Sequence, residues 1–262
     1  MRRAWLILLA AVVATMLTVG WAQGARADLT AGAVSYTIDG QPYEGYFAIN
    51  QRLGDAQPLV ILVHDWNGLD SYERRRAEML AERGYAAFAV DLYGQGVRPQ
   101  NVEESRAESG KLYADRAALR ARLLAGLAQA QQQPGVDGDR VVAMGYCFGG
   151  AAVLEMARAG VEVDGFVSFH GSFATPEGQD YTQTQGSLLV LHGSDDPVAP
   201  MTDVAQLAAE LDGAGVTFDM EIYGGADHAF TVWSDQTRYN AEADRKSWRS
   251  LLIYLEETFS AT

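Results

Sequence analysis

The chain has 262 residues, of which 34 are acidic and 20 basic, giving a formal net charge of −14. An acidic surface argues against nucleic acid or an anionic membrane as the partner. A single cysteine excludes a fold held together by internal disulfides, and the length suits one α/β domain with a large core.

The first 27 residues have the pattern of a secretory signal peptide. Arg2 and Arg3 precede an apolar stretch that runs to about Trp21, and Ala25-Arg26-Ala27 is an A-x-A cleavage site. We expect cleavage after this site and a mature domain of residues 28–262 that is periplasmic or secreted and free of the membrane. Loss of three arginines would change the formal charge from −14 to −17. The alternative is an uncleaved anchor, since the apolar run is near the lower limit for a span.

Strands and helices alternate along the mature chain. We expect strands at 33–38, 43–49, 58–63 and 85–90, with a hairpin turn at Asp39-Gly40, a capped helix from Asp70 to about 83, and a long helical stretch at 103–133 broken near Gly110. Further strands are expected at 140–144, 165–169, 187–191 and 217–222, and further helices at 151–159, 201–212 and 239–259. This alternation predicts a doubly wound, mostly parallel sheet with helices on both faces.

The stretch Gly145-Tyr146-Cys147-Phe148-Gly149-Gly150 joins an apolar strand to a helix. It has the G-x-S-x-G form of a nucleophile elbow, with Cys in place of Ser. The helix N-terminus that follows the turn would favour a thiolate and, later, an oxyanion. The alternative is a buried structural cysteine, since free Cys is often a small core residue.

Two more residues complete the order in which the members of a catalytic triad occur along the chain. Ligands of open α/β sheets bind outside the carboxyl ends of the strands, and Asp196 and His228 each follow a predicted strand. Cys147, Asp196 and His228 therefore have the nucleophile-acid-histidine order of α/β hydrolases. His228 would accept the thiol proton, and Asp196 would orient its imidazole. Asp195 is the competing acid, but Asp196 precedes Pro197 and so begins the next turn.

An oxyanion hole requires two backbone donors. One is expected to be the N–H of Phe148, directly after the nucleophile. The other is expected in the loop after the first buried strand, which points to Trp66.

These segments resemble the dienelactone hydrolase family. The elbow matches that family's elbow, and His64-Asp65-Trp66-Asn67-Gly68 is similar to its acidic loop; Asp91-Leu92-Tyr93, Lys111-Leu112-Tyr113 and Ala226-Asp227-His228-Ala229-Phe230 also fit. The resemblance implies an α/β-hydrolase fold and hydrolysis of small-molecule esters or lactones without a metal or cofactor. It also implies that Asp65, where the family usually has Glu, holds the resting thiol and helps form the thiolate.

The substrate is expected to differ from dienelactone. Family members that hydrolyse dienelactone hold its carboxylate with two arginines, and the matching positions here are Gln95 and Val232. Neither side chain offers a bidentate grip on a carboxylate. We therefore expect better activity on neutral esters or lactones, unless Arg98 enters from its loop. The residues expected to line an apolar pocket are Trp66, Tyr93, Tyr146, Phe173 and Trp233.

Two other kinds of protein fit parts of the pattern. Imidazole and thiolate groups suit zinc, and the candidate ligands at strand ends are His64, Asp65, Cys147, His170 and His192. A metal site would leave the elbow and the acid loop unexplained. A non-catalytic binding protein that keeps the pocket is the second alternative.

Overall fold

One mixed sheet organises the described chain. The computed structural model describes residues 29–260, and the predicted signal peptide lies outside them. The strands in this range are β1 (Thr30–Ile38), β2 (Gln41–Ile49), β3 (Gln57–Val63), β4 (Ala86–Val90), β5 (Val136–Tyr146), β6 (Gly165–Phe169), β7 (Ser187–Gly193) and β8 (Phe218–Tyr223). Their spatial order is β1-β2-β4-β3-β5-β6-β7-β8. Strands β3 to β8 pair in parallel, whereas β2 pairs antiparallel with both β1 and β4.

Helices cover both faces of this sheet. They are α1 (Ser71–Ala81), α2 (Val102–Ala114), α3 (Arg116–Gln131), α4 (Phe148–Arg158), α5 (Met201–Gly213) and α6 (Ala241–Ser260). Buried side chains of α2, α3, α4 and α5 join one apolar core, and those of α1 and α6 join the core on the opposite face. The central strands carry apolar runs because they are buried on both faces, as in β4. The doubly wound sheet expected from the sequence is confirmed.

Local signals predicted the helix start at Asp70 but misplaced the break in the long helical stretch. The capping box at the start of α1 is present: Asp70 caps the helix, and Glu73 accepts from the Asp70 amide. The break in the long helical stretch was predicted near Gly110 but lies at Asp115. Gly110 is inside α2, whereas Asp115 leaves the helical conformation and its carboxylate caps α3 through the Ala118 amide. A side-chain cap here determines the break more than a flexible glycine does.

The candidate site lies where the parallel strands end. Cys147 directly follows β5, His170 follows β6, and Asp196 and His228 come soon after β7 and β8. Parallel pairing brings these strand ends to one edge of the sheet, as expected for open α/β folds. Within residues 29–260, no helix combines the length and apolar character needed to cross a membrane.

Candidate active site

The nucleophile elbow depends on two close approaches of the backbone. Cys147 has φ 54° and ψ −111°, an uncommon conformation for a residue with a side chain. A Cβ on Gly145 would lie 2.2 Å from the Gly149 carbonyl oxygen, and a Cβ on Gly149 would lie 2.2 Å from that of Val63. Only glycine fits at either position, so the G-x-C-x-G spacing is a steric requirement of the turn.

The structure brings the three residues of the predicted triad into one hydrogen-bonded row. His228 Nε2 lies 3.0 Å from Cys147 Sγ, and His228 Nδ1 lies 2.8 Å from Asp196 Oδ2. Asp196 is buried, and its Oδ1 accepts from the amides of Val198 and Ala199. The row joins a thiol at the cavity to a fixed, buried carboxylate.

The charges of the row stabilise one another. Burial alone would lower the pKa of His228, but hydrogen bonds to Asp196 and Cys147 outweigh it and raise that pKa to about 10. Burial likewise opposes ionisation of Asp196, yet its bond to His228 holds its pKa below the usual value. Asp195 accepts from Ser194 Oγ at 2.7 Å and does not contact the imidazole. Asp196 is therefore the acid that meets His228.

Two backbone amides are available beside the thiol. Phe148 is the first residue of α4, and Trp66 lies in the loop after β3; both residues line the same cavity as Cys147. Within the described chain, neither amide donates to a protein acceptor. Amides of this kind, one of them at a helix N-terminus, suit a developing oxyanion.

Asp65 lies in the cavity wall, but its carboxylate is engaged elsewhere. It accepts from the backbone and side-chain amides of Asn67 at 2.6 and 3.4 Å, and no hydrogen bond joins it to Cys147 in residues 29–260. Burial raises the pKa of Asp65 to about 7, although the positive charges of His228 and Arg238 lower it. The acid therefore changes charge near neutral pH beside the thiol.

The remaining histidines have structural partners. His64 Nδ1 donates to the Asp65 carbonyl at 2.6 Å, and its Nε2 accepts from the Leu92 amide at 3.1 Å. His192 Nε2 donates to the Ala199 carbonyl at 2.8 Å and so supports the Asp196 loop. Among residues 29–260, no three His, Cys, Asp or Glu side chains are grouped as metal ligands.

His170 connects the elbow to the loop that carries His228. The Cys147 amide donates to His170 Nδ1 at 3.2 Å as well as to the Phe169 carbonyl at 3.0 Å. Because Nδ1 accepts, Nε2 carries the proton and donates to Thr231 Oγ1 at 2.8 Å. Burial holds the pKa of His170 well below its usual value, so the ring is neutral. Thr231 is three residues after His228, and the bridge therefore ties both loops together.

Behind Thr231 lies a buried polar network that sequence reasoning missed. Tyr72 donates to Thr231 Oγ1 at 2.7 Å, and Arg76 donates to the Thr231 carbonyl at 3.2 Å and pairs with Asp244. Trp233 also donates to Asp244, at 3.0 Å. Tyr72 and Arg76, which lie on α1, are separated from Thr231 by 159 and 155 positions. No local pattern signals such a connection.

A cavity of 660 Å³ opens in front of the thiol. Its walls combine aromatic and aliphatic surface with a polar segment that follows His228. The lining residues are Asp65, Trp66, Asn67, Ser109, Tyr113, Cys147, Phe148, Ser172, Val198, His228, Ala229, Val232, Ser234, Asp235, Gln236 and Arg238. The volume suits a small organic molecule.

Three aromatic residues predicted to line the pocket lie outside this cavity. Tyr146 has no exposed surface, because its side chain points to the α1 face and packs on Tyr72. Tyr93 is turned behind Trp66, whose carbonyl accepts from the Tyr93 hydroxyl at 3.1 Å. Trp233 is held by Asp244, as described above. Tyr146, Tyr93 and Trp233 are therefore not among the residues that line the cavity in front of Cys147.

Phe173 is likewise absent from the lining, since its ring packs on His192 with centroids 4.8 Å apart. Trp66 does line the cavity as predicted. Tyr113 takes the aromatic place instead, with its ring edge-on to Phe148 at 5.2 Å. From the sequence, Tyr113 was singled out only as part of a segment of the long helix that resembles the family.

Two positions at which arginine would be expected for binding dienelactone hold Gln95 and Val232 in this chain. Gln95 is turned away and donates to Glu44, whereas Val232 lines the cavity. Arg98 lies in a separate groove, where it donates to the Val97 carbonyl at 2.7 Å. Arg238 does line the cavity, and sequence reasoning missed it because it belongs to an irregular segment without a periodic pattern.

Comparisons with known proteins agree with this architecture. A model of the dienelactone hydrolase family matches residues 43–259. A Synechocystis sp. protein provisionally named carboxymethylenebutenolidase is 31% identical over 221 residues, which cover 79% of this chain and 88% of that protein. The carboxymethylenebutenolidase of Pseudomonas putida is 29% identical over 180 residues, covering 66% of this chain and 75% of its own.

A solved structure also resembles the chain closely. It is the crystal structure of a dienelactone hydrolase-like promiscuous phosphotriesterase from metagenomic libraries. It aligns with a TM-score of 0.83 at 32% identity, covering 88% of this chain and 99% of that one. The fold is that of the α/β hydrolases. The chain belongs to the dienelactone hydrolase family and is a hydrolase of the ester or lactone type.

Proposed function

We propose that this hydrolase cleaves carboxylic esters or lactones through an acyl-enzyme formed on Cys147. The observation that carries the proposal is the continuous hydrogen-bonded row from Cys147 through His228 to Asp196 at the floor of the cavity. This is the arrangement that activates a nucleophile and orients its base. It is also the geometry that a non-catalytic binding protein would have no need to keep.

In the first half-reaction, Cys147 Sγ attacks the carbonyl carbon while the thiol proton is held on His228, whose raised pKa favours the charged imidazole. The oxyanion would bind the amides of Phe148 and Trp66. Collapse expels the alkoxide, which takes the proton from His228, and leaves a thioester on Cys147. Asp196 holds the imidazole in one tautomer and stabilises its positive charge throughout.

In the second half-reaction, His228 removes a proton from water, which attacks the thioester carbonyl. The thiolate leaves and regains its proton from His228, and the carboxylic acid is released. We assign Asp65 the task of modulating the thiolate, as its carboxyl lines the same cavity and changes charge near pH 7. No metal or cofactor is needed for any of these steps.

Neutral esters or lactones of modest size are the proposed substrates, in preference to dienelactone itself. Support comes from Gln95, which is turned away from the cavity, and from Val232, which lines it without a charge. Side-by-side kinetics on dienelactone and its neutral methyl ester test this point. A higher kcat/KM for dienelactone would contradict the proposal.

The mechanism is tested with short 4-nitrophenyl esters and lactones. Cys147→Ala and His228→Ala should each lose at least about 1,000-fold in kcat, and the double variant little more, because the pair acts as a unit. Full activity in Cys147→Ala would end the nucleophile assignment. Ester binding without turnover by the wild type would favour a binding protein instead.

We also propose that the protein is exported and that its mature form begins at Asp28. The basic start, the apolar run and the A-x-A site of the first 27 residues support export. Mass spectrometry of the protein from a periplasmic or culture fraction is the test. Exported protein with residues 1–27 intact would contradict cleavage.

A further inference from the structure

The cavity wall contains one ion pair that the mechanism does not use. Of the described residues that line the cavity, Arg238 is the sole Lys or Arg, and Asp235 lines the same wall. Arg238 Nε lies 2.6 Å and Nη2 2.5 Å from Asp235 Oδ2. Both groups remain partly exposed, with 40% of the Arg238 side chain and 19% of the Asp235 side chain accessible. A ligand in the cavity can therefore reach either charge.

The Asp235 carboxylate is held in place independently of the arginine. Its Oδ1 accepts from the Thr237 amide at 3.1 Å and from Thr237 Oγ1 at 2.7 Å. It also accepts from the Arg238 backbone amide at 3.1 Å. This Asx turn fixes the negative charge on the cavity wall, and the long Arg238 side chain folds back onto it.

Arg238 would otherwise be a strong site for an anion. A free guanidinium at a cavity wall binds a carboxylate through two parallel hydrogen bonds. Its positive charge already reaches the cavity floor, where it stabilises the ionised form of Asp65. With Asp235 attached, an entering carboxylate meets a neutral pair and would have to displace a carboxylate that is already fixed.

We propose that Asp235 is a specificity-determining residue that cancels Arg238 and thereby makes the cavity favour neutral acyl groups over carboxylate-bearing ones. This inference rests on the proposed ester hydrolysis and adds to it the residue that sets charge selectivity. It also predicts that substitution of Asp235 and substitution of Arg238 change charge selectivity in opposite directions. Removing Asp235 exposes a cation, whereas removing Arg238 exposes an anion.

The test compares methyl pentanoate with monomethyl glutarate, whose acyl chains have the same length and end in a methyl and a carboxylate. The measured quantity is kcat/KM for monomethyl glutarate divided by kcat/KM for methyl pentanoate. Hydrolysis is monitored by pH-stat titration. In Asp235→Asn, which keeps an acceptor for Thr237, this ratio should rise about tenfold, because the freed Arg238 guanidinium offers the carboxylate a charged bidentate contact. In Arg238→Gln it should fall several-fold.

The matched control is Asp180→Asn. Asp180 accepts from the Thr182 amide and hydroxyl in the same kind of turn, but it does not line the cavity. The kcat/KM ratio of Asp180→Asn should stay at the wild-type value. The ratio of the double variant Asp235→Asn/Arg238→Gln should return close to the wild-type value. Both shifts should shrink in 1 M NaCl, since screening weakens exposed charges.

A change of less than twofold in Asp235→Asn, or a raised ratio that persists in the double variant, would overturn the proposal. Circular dichroism of each variant establishes that it is folded. If the wild type hydrolyses neither ester, the proposed function fails by itself. The charge selectivity is then measured by calorimetry as the ratio of Kd values for the two esters in a Cys147→Ala background, with the same variants and the same expected signs.

Discussion

The two sides of His228 differ in construction. Behind it, Thr231 and His170 belong to a buried network in which each polar group has a partner within the core. In front of it, Asp235 and Arg238 form a partly exposed pair on an irregular segment. In the proposed mechanism, the buried side positions the reacting groups and the open side meets the substrate. On this proposal, chemistry and selectivity depend on different kinds of interaction.

The largest effect expected on the buried side comes from the acid. Asp196→Asn should lower kcat by at least about 100-fold, because the amide no longer fixes the imidazole tautomer or stabilises its charge. Asp195→Asn, one residue earlier and bonded only to Ser194 through its side chain, is the matched control and should change kcat less than twofold. Steady-state kinetics on a 4-nitrophenyl ester decide between them. Equal losses in both variants would contradict the placement of the acid.

An intermediate effect is expected from Thr231, which we regard as a positioning residue. Thr231→Val keeps the shape but removes the acceptor for His170 and Tyr72, leaving buried donors unpaired. We expect kcat to fall about tenfold at unchanged KM, with a shifted pH profile, since the geometry between Cys147 and His228 relaxes.

Thr231→Ser is the matched control for that change, because it keeps the hydroxyl and loses only a methyl group. It should restore most of the kcat and the wild-type pH profile. Equal losses in the Val and Ser variants would mean that Thr231 contributes packing alone. The buried network behind His228 would then have no role in positioning Cys147 and His228.

The smallest effect concerns stability and Asp65. The folded-state pKa of Asp65 is raised to about 7, so its stabilising contribution is complete below the unfolded-state pKa and is lost as pH rises through about 7. We expect the free energy of unfolding to decrease by on the order of 3 kcal/mol from pH 5 to pH 8 on this account. Burial and the charge of Asp65 raise the pKa of the neighbouring Glu73 well above its usual value.

Asp65→Asn should flatten this decrease, and urea unfolding at pH 5 and pH 8 measures it. Asp180→Asn, at the surface, should keep the wild-type slope. An unchanged slope in Asp65→Asn would show that the acid titrates in its ordinary range in the folded protein.

Sequence reasoning succeeded where the constraint is local and failed where it is not. The elbow was predictable because the close approaches at Gly145 and Gly149 admit no side chain, so the motif carries its own geometry. The pairing of Asp196 with His228 followed from chain order on a parallel sheet. The same reasoning misplaced Tyr146, because adjacent strand residues point to opposite faces and the residue before the nucleophile turns to the core.

The cavity wall was harder to predict for a related reason. Trp233 and Arg238 lie five residues apart in an irregular segment, yet one is held by Asp244 and the other by Asp235. Their directions depend on which partner the tertiary fold supplies. Aromatic character alone favoured Trp233 as a lining residue, and nothing in the local pattern favoured Arg238.

The pairing of β1 has a consequence for how the enzyme can be handled. Thr30 pairs with Ile49, and Ile38 with Gln41, so β1 starts at the sheet edge opposite the one where Cys147 lies. An affinity tag, a fusion partner or a solid support joined ahead of Thr30 would enter from the far end of the molecule. The strand end that carries Cys147 would then lie on the side opposite the attachment.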